Sequence, residues 1–277
     1  MENASHENDI TLTALQVIGS NKHIYFFVAL ISYLLIIMFN CSVIFLIFVE
    51  KNLHEPMYIF LCNLLFCELI GASSFYIKFM FDLKTNNQVI SLSACLTQVF
   101  FIYVYVSAEI SILTVMAHDR YVAINFPLHY ITIISTRKAQ MLISVAWVYS
   151  ISVIIMGVIL AARLPLCGNQ IDTVYCSNWE IVKLSCVETN SNSVYGLLVI
   201  CSFVIPFIFI LYSYIKILSV CRLNLRRALN ALTLIASIEF LTLPPLLNPL
   251  VYGIILPEIR KRVIYMIFCK RKQVRVR

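Results

Sequence analysis

Long apolar segments separated by short polar ones dominate this chain. Five of them have about 20 to 26 residues each, enough to cross a bilayer as helices at about 1.5 Å per residue. They cover residues 24–49, 57–77, 92–117, 139–161 and 194–218. A sixth apolar stretch follows the basic segment 222–227 and ends near Leu256. The pattern predicts an all-α, polytopic transmembrane helical bundle with six evident spans.

Composition supports a membrane protein and excludes other classes. The 277 residues are 61% hydrophobic and only 13% charged, with a mean hydropathy of +0.88, which excludes a soluble globular or disordered chain. The net charge of +7 is carried mostly by loops and tail, so it indicates orientation in a membrane and not nucleic-acid binding. Residues 1–21 are polar and the first apolar run is too long for a cleavable signal, so the first span is expected to direct its own insertion.

The order of polar and apolar segments predicts one transmembrane domain over residues 1–277. We expect an extracellular amino terminus over 1–23, a bundle over 24–255 with an outer loop at 162–193, and a cytoplasmic basic tail over 256–277. Asn3 begins an N-glycosylation pattern, whereas the same pattern at Asn40 lies inside a span. In the tail, apolar and basic residues alternate over 257–269, which suits a helix on membrane lipids. Cys269 is either palmitoylated or a plain juxtamembrane thiol.

Residues 116–125, with the sequence MAHDRYVAIN, close the third span. An acid beside an arginine at a membrane boundary can hold the guanidinium until another group competes for it, which would make Asp119 and Arg120 a switch. The pair can equally be a boundary ion pair that anchors the helix.

Two carboxylates lie at one predicted depth in the membrane. Glu109 is ten residues before Asp119, about 15 Å from that edge, and Glu68 is eleven residues after Met57, about 16 Å from the same edge. An ionised carboxylate at mid-membrane costs at least about 2.5 kcal/mol. The two acids are therefore either protonated and hydrogen-bonded or share a cation.

Cysteines cluster on the predicted outer face. Cys95, Cys167, Cys176 and Cys186 lie where an oxidising environment favours disulfides, and four cysteines allow three pairings. Zinc binding is a weaker alternative because no histidine lies among them. The cysteines that lie within spans are instead candidates for free structural thiols: Cys41, Cys62, Cys67 and Cys201.

Several sequence blocks resemble the odorant receptors, a branch of the rhodopsin-like G-protein-coupled receptors. They are LHEPMYIFLCNLLF at 53–66, MAHDRYVAI with PLHY after it, SYIKIL at 213–218, and PPLLNP with Tyr252. The last block and residues 256–262 are most like the fish-type members. The resemblance implies a plasma-membrane receptor that binds a small, mostly apolar odorant and couples to a heterotrimeric G protein. It implies no enzyme activity, and no nucleophile–base constellation is visible.

The resemblance also assigns roles to individual residues. The implied disulfides are Cys95–Cys176 and Cys167–Cys186, and the implied coupling switch comprises Asp119, Arg120, Tyr121, Asn248, Pro249 and Tyr252. A sodium ion, with no other cofactor, is implied at Glu68, Glu109 and Asn248. Height and the family's pattern place the ligand pocket between spans three and five, where an aromatic-rich face could also be plain packing. The pocket candidates are Phe101, Tyr105, Ser107, Ser202 and Phe203.

One expected element is missing. After Cys221 the chain passes through RLNLRR directly into a stretch that resembles the seventh helix of the family, with no sixth helix between. Six spans would carry the basic tail outside, against the positive-inside rule, unless residues around 221–234 re-enter the membrane. In that family the sixth helix moves in activation and lines one wall of the odorant pocket. We therefore expect an odorant receptor by descent, either a sequence that lacks an internal segment or a truncated allele, in which ligand gating fails.

Two other classes compete with a working receptor. The first is a truncated, non-signalling receptor that pairs with full-length receptors. The second is a transporter or channel with Glu68 and Glu109 on a cation path, which the lack of an internal repeat disfavours.

Overall fold

The computed structural model describes residues 9–14, 22–50, 54–85 and 88–220 of the chain. Within them five helices are long and apolar enough to cross a membrane. They are α1 (Lys22–Val49), α2 (Pro56–Thr85), α3 (Leu92–Asn125), α5 (Thr136–Ala162) and α7 (Asn190–Val220). The five predicted spans are thus present. The predicted sixth span and the basic tail lie outside the described residues.

Two short helices lie in the connections between these spans. A 3₁₀ turn (Pro127–His129) and helix α4 (Tyr130–Ile133) join α3 to α5. Helix α6 (Asn178–Lys183) lies in the long loop, residues 163–189, between α5 and α7. Ser91, Ser135 and Ser177 each accept a hydrogen bond from a backbone N–H in the first turn of α3, α5 and α6, so all three starts are capped.

A small three-stranded sheet covers one end of the bundle, which we call the disulfide end. Its middle strand β1 (Asp9–Leu12) pairs antiparallel with β2 (Val89–Ser91) and parallel with β3 (Gln170–Ile171). The side chains of Ile10 and Leu12 are buried beneath it. The amino-terminal strand is therefore an integral part of this end.

The core of the bundle lies where α2, α3 and α5 meet. Small residues of α3 and α5 allow the helices to approach closely, as is usual in membrane bundles. The cluster comprises Phe60, Leu64, Cys67, Ala108, Ile112, Met116, Ala139, Ile143 and Ala146. By contrast, none of the most apolar 18-residue window of α7 is buried.

Two predicted boundaries are wrong. Helix α2 continues eight residues past Ile77, and an i,i+4 ion pair between Lys78 and Asp82 stabilises this part of the helix. Residues 78–85 are therefore helical, and the strand Val89–Ser91 follows before α3 begins. Helix α3 likewise continues beyond residue 117 to Asn125.

Candidate functional site

The Asp119 end of the bundle, opposite the disulfide end, joins α3 to the connection that follows it. Asp119 is buried, and its carboxylate accepts a hydrogen bond of 2.8 Å from the Tyr130 hydroxyl at the start of α4. Burial raises the pKa of Tyr130, and the bond to the Asp119 carboxylate raises it further. Glu55, at the start of α2, is close enough to act on Tyr130 electrostatically. The acid of the predicted switch is thus held by a tyrosine eleven residues further along the chain.

Two of the other switch residues lie in the described part of the chain, and three lie outside it. Arg120 is partly exposed next to Asp119, close enough for the two charges to interact. The Tyr121 ring lies 6.4 Å from that of Phe126, centroid to centroid, in an edge-to-face contact. Asn248, Pro249 and Tyr252 lie outside the described residues, so their place in the switch stays a prediction.

Glu68 of α2 and Glu109 of α3 are both buried. Each is close enough to interact electrostatically with the same two neighbours, Cys67 and Tyr105. The structure therefore brings the two carboxyl groups into shared surroundings near mid-helix. Within the described part of the chain, no group of three or more His, Cys, Asp or Glu side chains is arranged to hold a metal ion. Asn248, the third predicted cation ligand, lies outside that part.

The residues of the predicted ligand pocket do not all lie on one side of their helices. Tyr105 lies against Gly71, since a Cβ atom added at Gly71 would overlap the Tyr105 ring. Ser107 lies about 160° away from Tyr105 around α3 at 100° per residue. It shares a face of α3 with His118, whose ring contacts Phe209 of α7 at 6.2 Å. Tyr105 therefore faces α2, whereas Ser107 faces α7.

The remaining pocket candidates lie on α3 and α7. Ser202 of α7 accepts a hydrogen bond of 2.9 Å from Tyr149 of α5, so its hydroxyl is engaged between helices. Phe203 is half-buried, and Phe101 is exposed. The described residues do contain an open cleft, but it lies between α5 and α7 nearer the disulfide end, with a volume of about 440 Å³. It is lined by Leu160, Asn190, Ser191, Val194, Tyr195 and Leu198.

At the disulfide end, Cys95 is joined to Cys176 and Cys167 to Cys186. This is the pairing that the resemblance implies. The sequence analysis missed two residues of α3 that meet the long loop. Gln98 hydrogen-bonds the backbone of Cys176, and Tyr103 lies within hydrogen-bonding reach of Ser177 and Asn178. Gln98 follows Cys95 by three residues and Tyr103 by eight. Their closeness to this disulfide cysteine is the signal that could have found them.

Comparison with known proteins places this arrangement in one family. The family model described as olfactory receptor matches residues 28–230. Mouse olfactory receptor 1M1 is 34% identical over 220 residues, covering 78% of this chain and 70% of the relative. Gorilla olfactory receptor 1D2 is 34% identical over 218 residues, with the same two shares. Rat olfactory receptor 1 is 30% identical over 297 residues, covering 94% of each chain. The chain, a multi-pass membrane protein, therefore belongs to the olfactory receptor family.

Proposed function

We propose that this chain descends from a plasma-membrane receptor that binds a small, mostly apolar odorant and activates a heterotrimeric G protein. The observation that carries the proposal is the division of the bundle into two ends. At one end, two disulfides and a sheet hold the long loop. At the other, Asp119 is bound to Tyr130 beside Arg120. The amino terminus and the long loop then face outside, and the Asp119 end faces the cytoplasm.

We further propose that the chain lacks the family's sixth helix. The alignment with rat olfactory receptor 1 extends over 297 positions, but 94% of this 277-residue chain is only about 260 residues. About 37 aligned positions therefore have no residue of this chain opposite them. A helix with one connecting loop has that length. The olfactory family model also stops matching at residue 230, close to the predicted gap.

The odorant site is proposed between the halves of α3 and α7 near the disulfide end. Ser107 lies on the α3 face toward α7, with Phe203 on α7 and Phe101 nearer the start of α3. Ser202 of α7 lies at the edge of this site, because its hydroxyl bonds Tyr149 of α5. Tyr105 is not part of this proposal, because it packs against α2. The sixth helix would supply another wall. Without it, odorant binding should not be transmitted to the Asp119 end.

A repair experiment tests the proposed receptor function. The segment of rat olfactory receptor 1 that faces the gap would be inserted after Cys221, and cells would be tested for cAMP with a panel of small aliphatic and aromatic odorants. We expect a response from the repaired chain and none from the chain as it stands, at equal surface levels. The matched control carries Arg120→Ala in the repaired chain. Odorant-dependent cAMP from the unrepaired chain would refute the claim of lost gating.

We also propose a sodium ion at Glu68 and Glu109. Two buried carboxyl groups in shared surroundings need protons or a cation, and carboxylate oxygens are hard ligands suited to sodium. Asn248 would add an amide oxygen. Sodium should raise the thermal stability of the wild-type chain relative to equal concentrations of choline. It should have no such effect on Glu68→Gln.

A second function is favoured by the exposed apolar surface of α7. Because none of its most apolar window is buried, α7 offers a full helix face to another helix in the membrane. The alternative is a non-signalling chain that pairs with full-length olfactory receptors. Co-expression of this chain should then reduce the surface level of a tagged full-length receptor. The chain should also co-purify with that receptor. A chain truncated before Asn190 is the control.

Three remaining assignments are proposals on sequence alone. Asn3 should carry a glycan that a glycosidase removes, and Cys269 should carry a thioester-linked acyl group that hydroxylamine releases. The basic tail should bind anionic membrane lipids. The likeness to fish-type members rests on residues 244–262, which lie outside the described residues, and stays a prediction.

A further inference from the structure

The side chain of Gln98 connects three separate parts of the disulfide end. Its amide nitrogen donates to the backbone oxygen of Ser74 in α2 at 3.1 Å. Its amide oxygen accepts from the backbone N–H of Cys176 in the long loop at 3.0 Å. Because a carbonyl only accepts and an N–H only donates, these two partners fix which way the amide points.

This connection acts where the Cys95–Cys176 disulfide alone leaves freedom. A disulfide joins two side chains, and the backbone at Cys176 can still turn about those bonds. Gln98 lies three residues after Cys95, on the same face of α3, and binds the Cys176 backbone itself. Cys95 and Cys176 are fully buried, so water has no ready access to replace the bond. The disulfide and the glutamine together hold the loop in one orientation.

The orientation of Cys176 determines where its neighbours in the loop lie. Before it, the Tyr175 ring meets Phe75 of α2 edge-to-face at 6.1 Å. After it, Ser177 and Asn178 reach Tyr103 of α3. Tyr103 is one helical turn from Ser107, on the adjoining part of the α3 face that we assign to the odorant site.

We propose that Gln98 is a positioning residue that sets the loop segment 175–178 over the odorant site. It acts through the backbone of Cys176 and does not itself touch the odorant. The inference rests on the proposed function only for the identity of the site beneath the loop. The loop geometry itself is independent of odorant binding and of G-protein coupling.

Hydrogen exchange of the full chain in lipid nanodiscs tests this role, followed by mass spectrometry of the reduced peptide that contains Cys176. Three variants separate accepting from donating: Gln98→Leu does neither, Gln98→Glu still accepts, and Gln98→Lys only donates. We expect the Leu and Lys variants to lose roughly tenfold in protection of that peptide, as for loss of one buried hydrogen bond. The Glu variant should stay within about twofold of wild type when its carboxyl group is protonated, because one oxygen then accepts the Cys176 N–H and the O–H donates to the Ser74 oxygen.

Two controls keep the comparison decisive. Thr97→Val removes a neighbouring hydroxyl that bonds only within α3, to Ser93, and should leave the loop unchanged. Intact Cys95–Cys176 linkage by mass and unchanged exchange in α1 show that a variant is folded. If Gln98→Lys does not fold, the comparison of Gln98→Leu with Gln98→Glu decides.

Wild-type protection in Gln98→Leu, or equal protection in the Glu variant and a non-accepting variant, would overturn the proposal. A negative result would leave the receptor proposal standing, because no odorant is used.

Discussion

Gly71 of α2 is a residue where one methyl group decides the packing. An added Cβ would overlap the ring of Tyr105, whose neighbours Glu68 and Glu109 limit where it can go. We expect Gly71→Ala to lower stability by about 1–3 kcal/mol, despite the better helix propensity of alanine. Thermal unfolding in detergent measures the change.

The matched control for Gly71 is Gly196 of α7, where an added Cβ meets nothing within 4 Å. Gly196→Ala should be neutral or stabilising by up to about 1 kcal/mol. In a Tyr105→Leu background, Gly71→Ala should cost less. An equal loss at both glycines would show that the Tyr105 ring is not the obstacle.

Tyr130 is the residue whose loss should loosen the Asp119 end. Tyr130→Phe leaves the buried Asp119 without its 2.8 Å donor, at a cost of about 1–3 kcal/mol. Because folding raises the pKa of Tyr130, its contribution is present below the ordinary tyrosine value of about 10 and falls as pH rises above it. The difference in melting temperature between wild type and variant should therefore shrink above pH 10. Tyr25→Phe, on an exposed part of α1, should show neither effect.

Residue positions were predictable in depth but not in direction. Counting residues from one membrane edge placed Glu68 and Glu109 at one level, and the structure gives them common neighbours. Height and the family's pattern put Tyr105 and Ser107 in one pocket, although two residues along a helix point to nearly opposite sides. The direction of a side chain depends on which helices surround it, and that depends on packing between distant segments.

At the scale of elements, α7 is attached to α5 through tyrosines. The Tyr149 hydroxyl bonds Ser202 at 2.9 Å, and the Tyr195 hydroxyl bonds the Val153 backbone oxygen at 2.7 Å. Polar contacts between membrane helices contribute about 0.6 kcal/mol each on average. The double variant Tyr149→Phe with Tyr195→Phe should therefore lose about 1 kcal/mol of stability.

Exchange in α7 peptides should rise more than exchange in α1 when both tyrosines are changed. Tyr214→Phe, on an exposed position of the same helix, is the control and should leave both helices unchanged. If the double variant matched this control, the α5–α7 contact would be held by apolar packing alone.

Long apolar elements could be predicted from the sequence, whereas short polar ones could not. Twenty apolar residues identify a span by themselves. The four residues of β1 have no such signal, because their strand exists only through pairing with residues about 80 and 160 positions away. The extension of α2 from Ile77 to Thr85 was not predicted, because the apolar pattern ends at Ile77 and the Lys78–Asp82 ion pair lies in the polar part that follows.

At the scale of the whole molecule, the side of the membrane on which the tail lies decides whether the chain can couple to a G protein. Residues 256–277 carry eight Lys or Arg residues and one acid, so moving the tail across the membrane opposes the positive-inside rule. We expect an epitope after Arg277 to be reached by antibody only in permeabilised cells. Changing Arg260, Lys261, Arg262, Lys270, Arg271 and Lys272 to Gln should make part of the tag accessible on intact cells, because only two of the eight basic residues then remain. A tag exposed on intact cells in the unaltered chain would put the tail opposite the Asp119 end, and the six spans would then have no route to G-protein coupling.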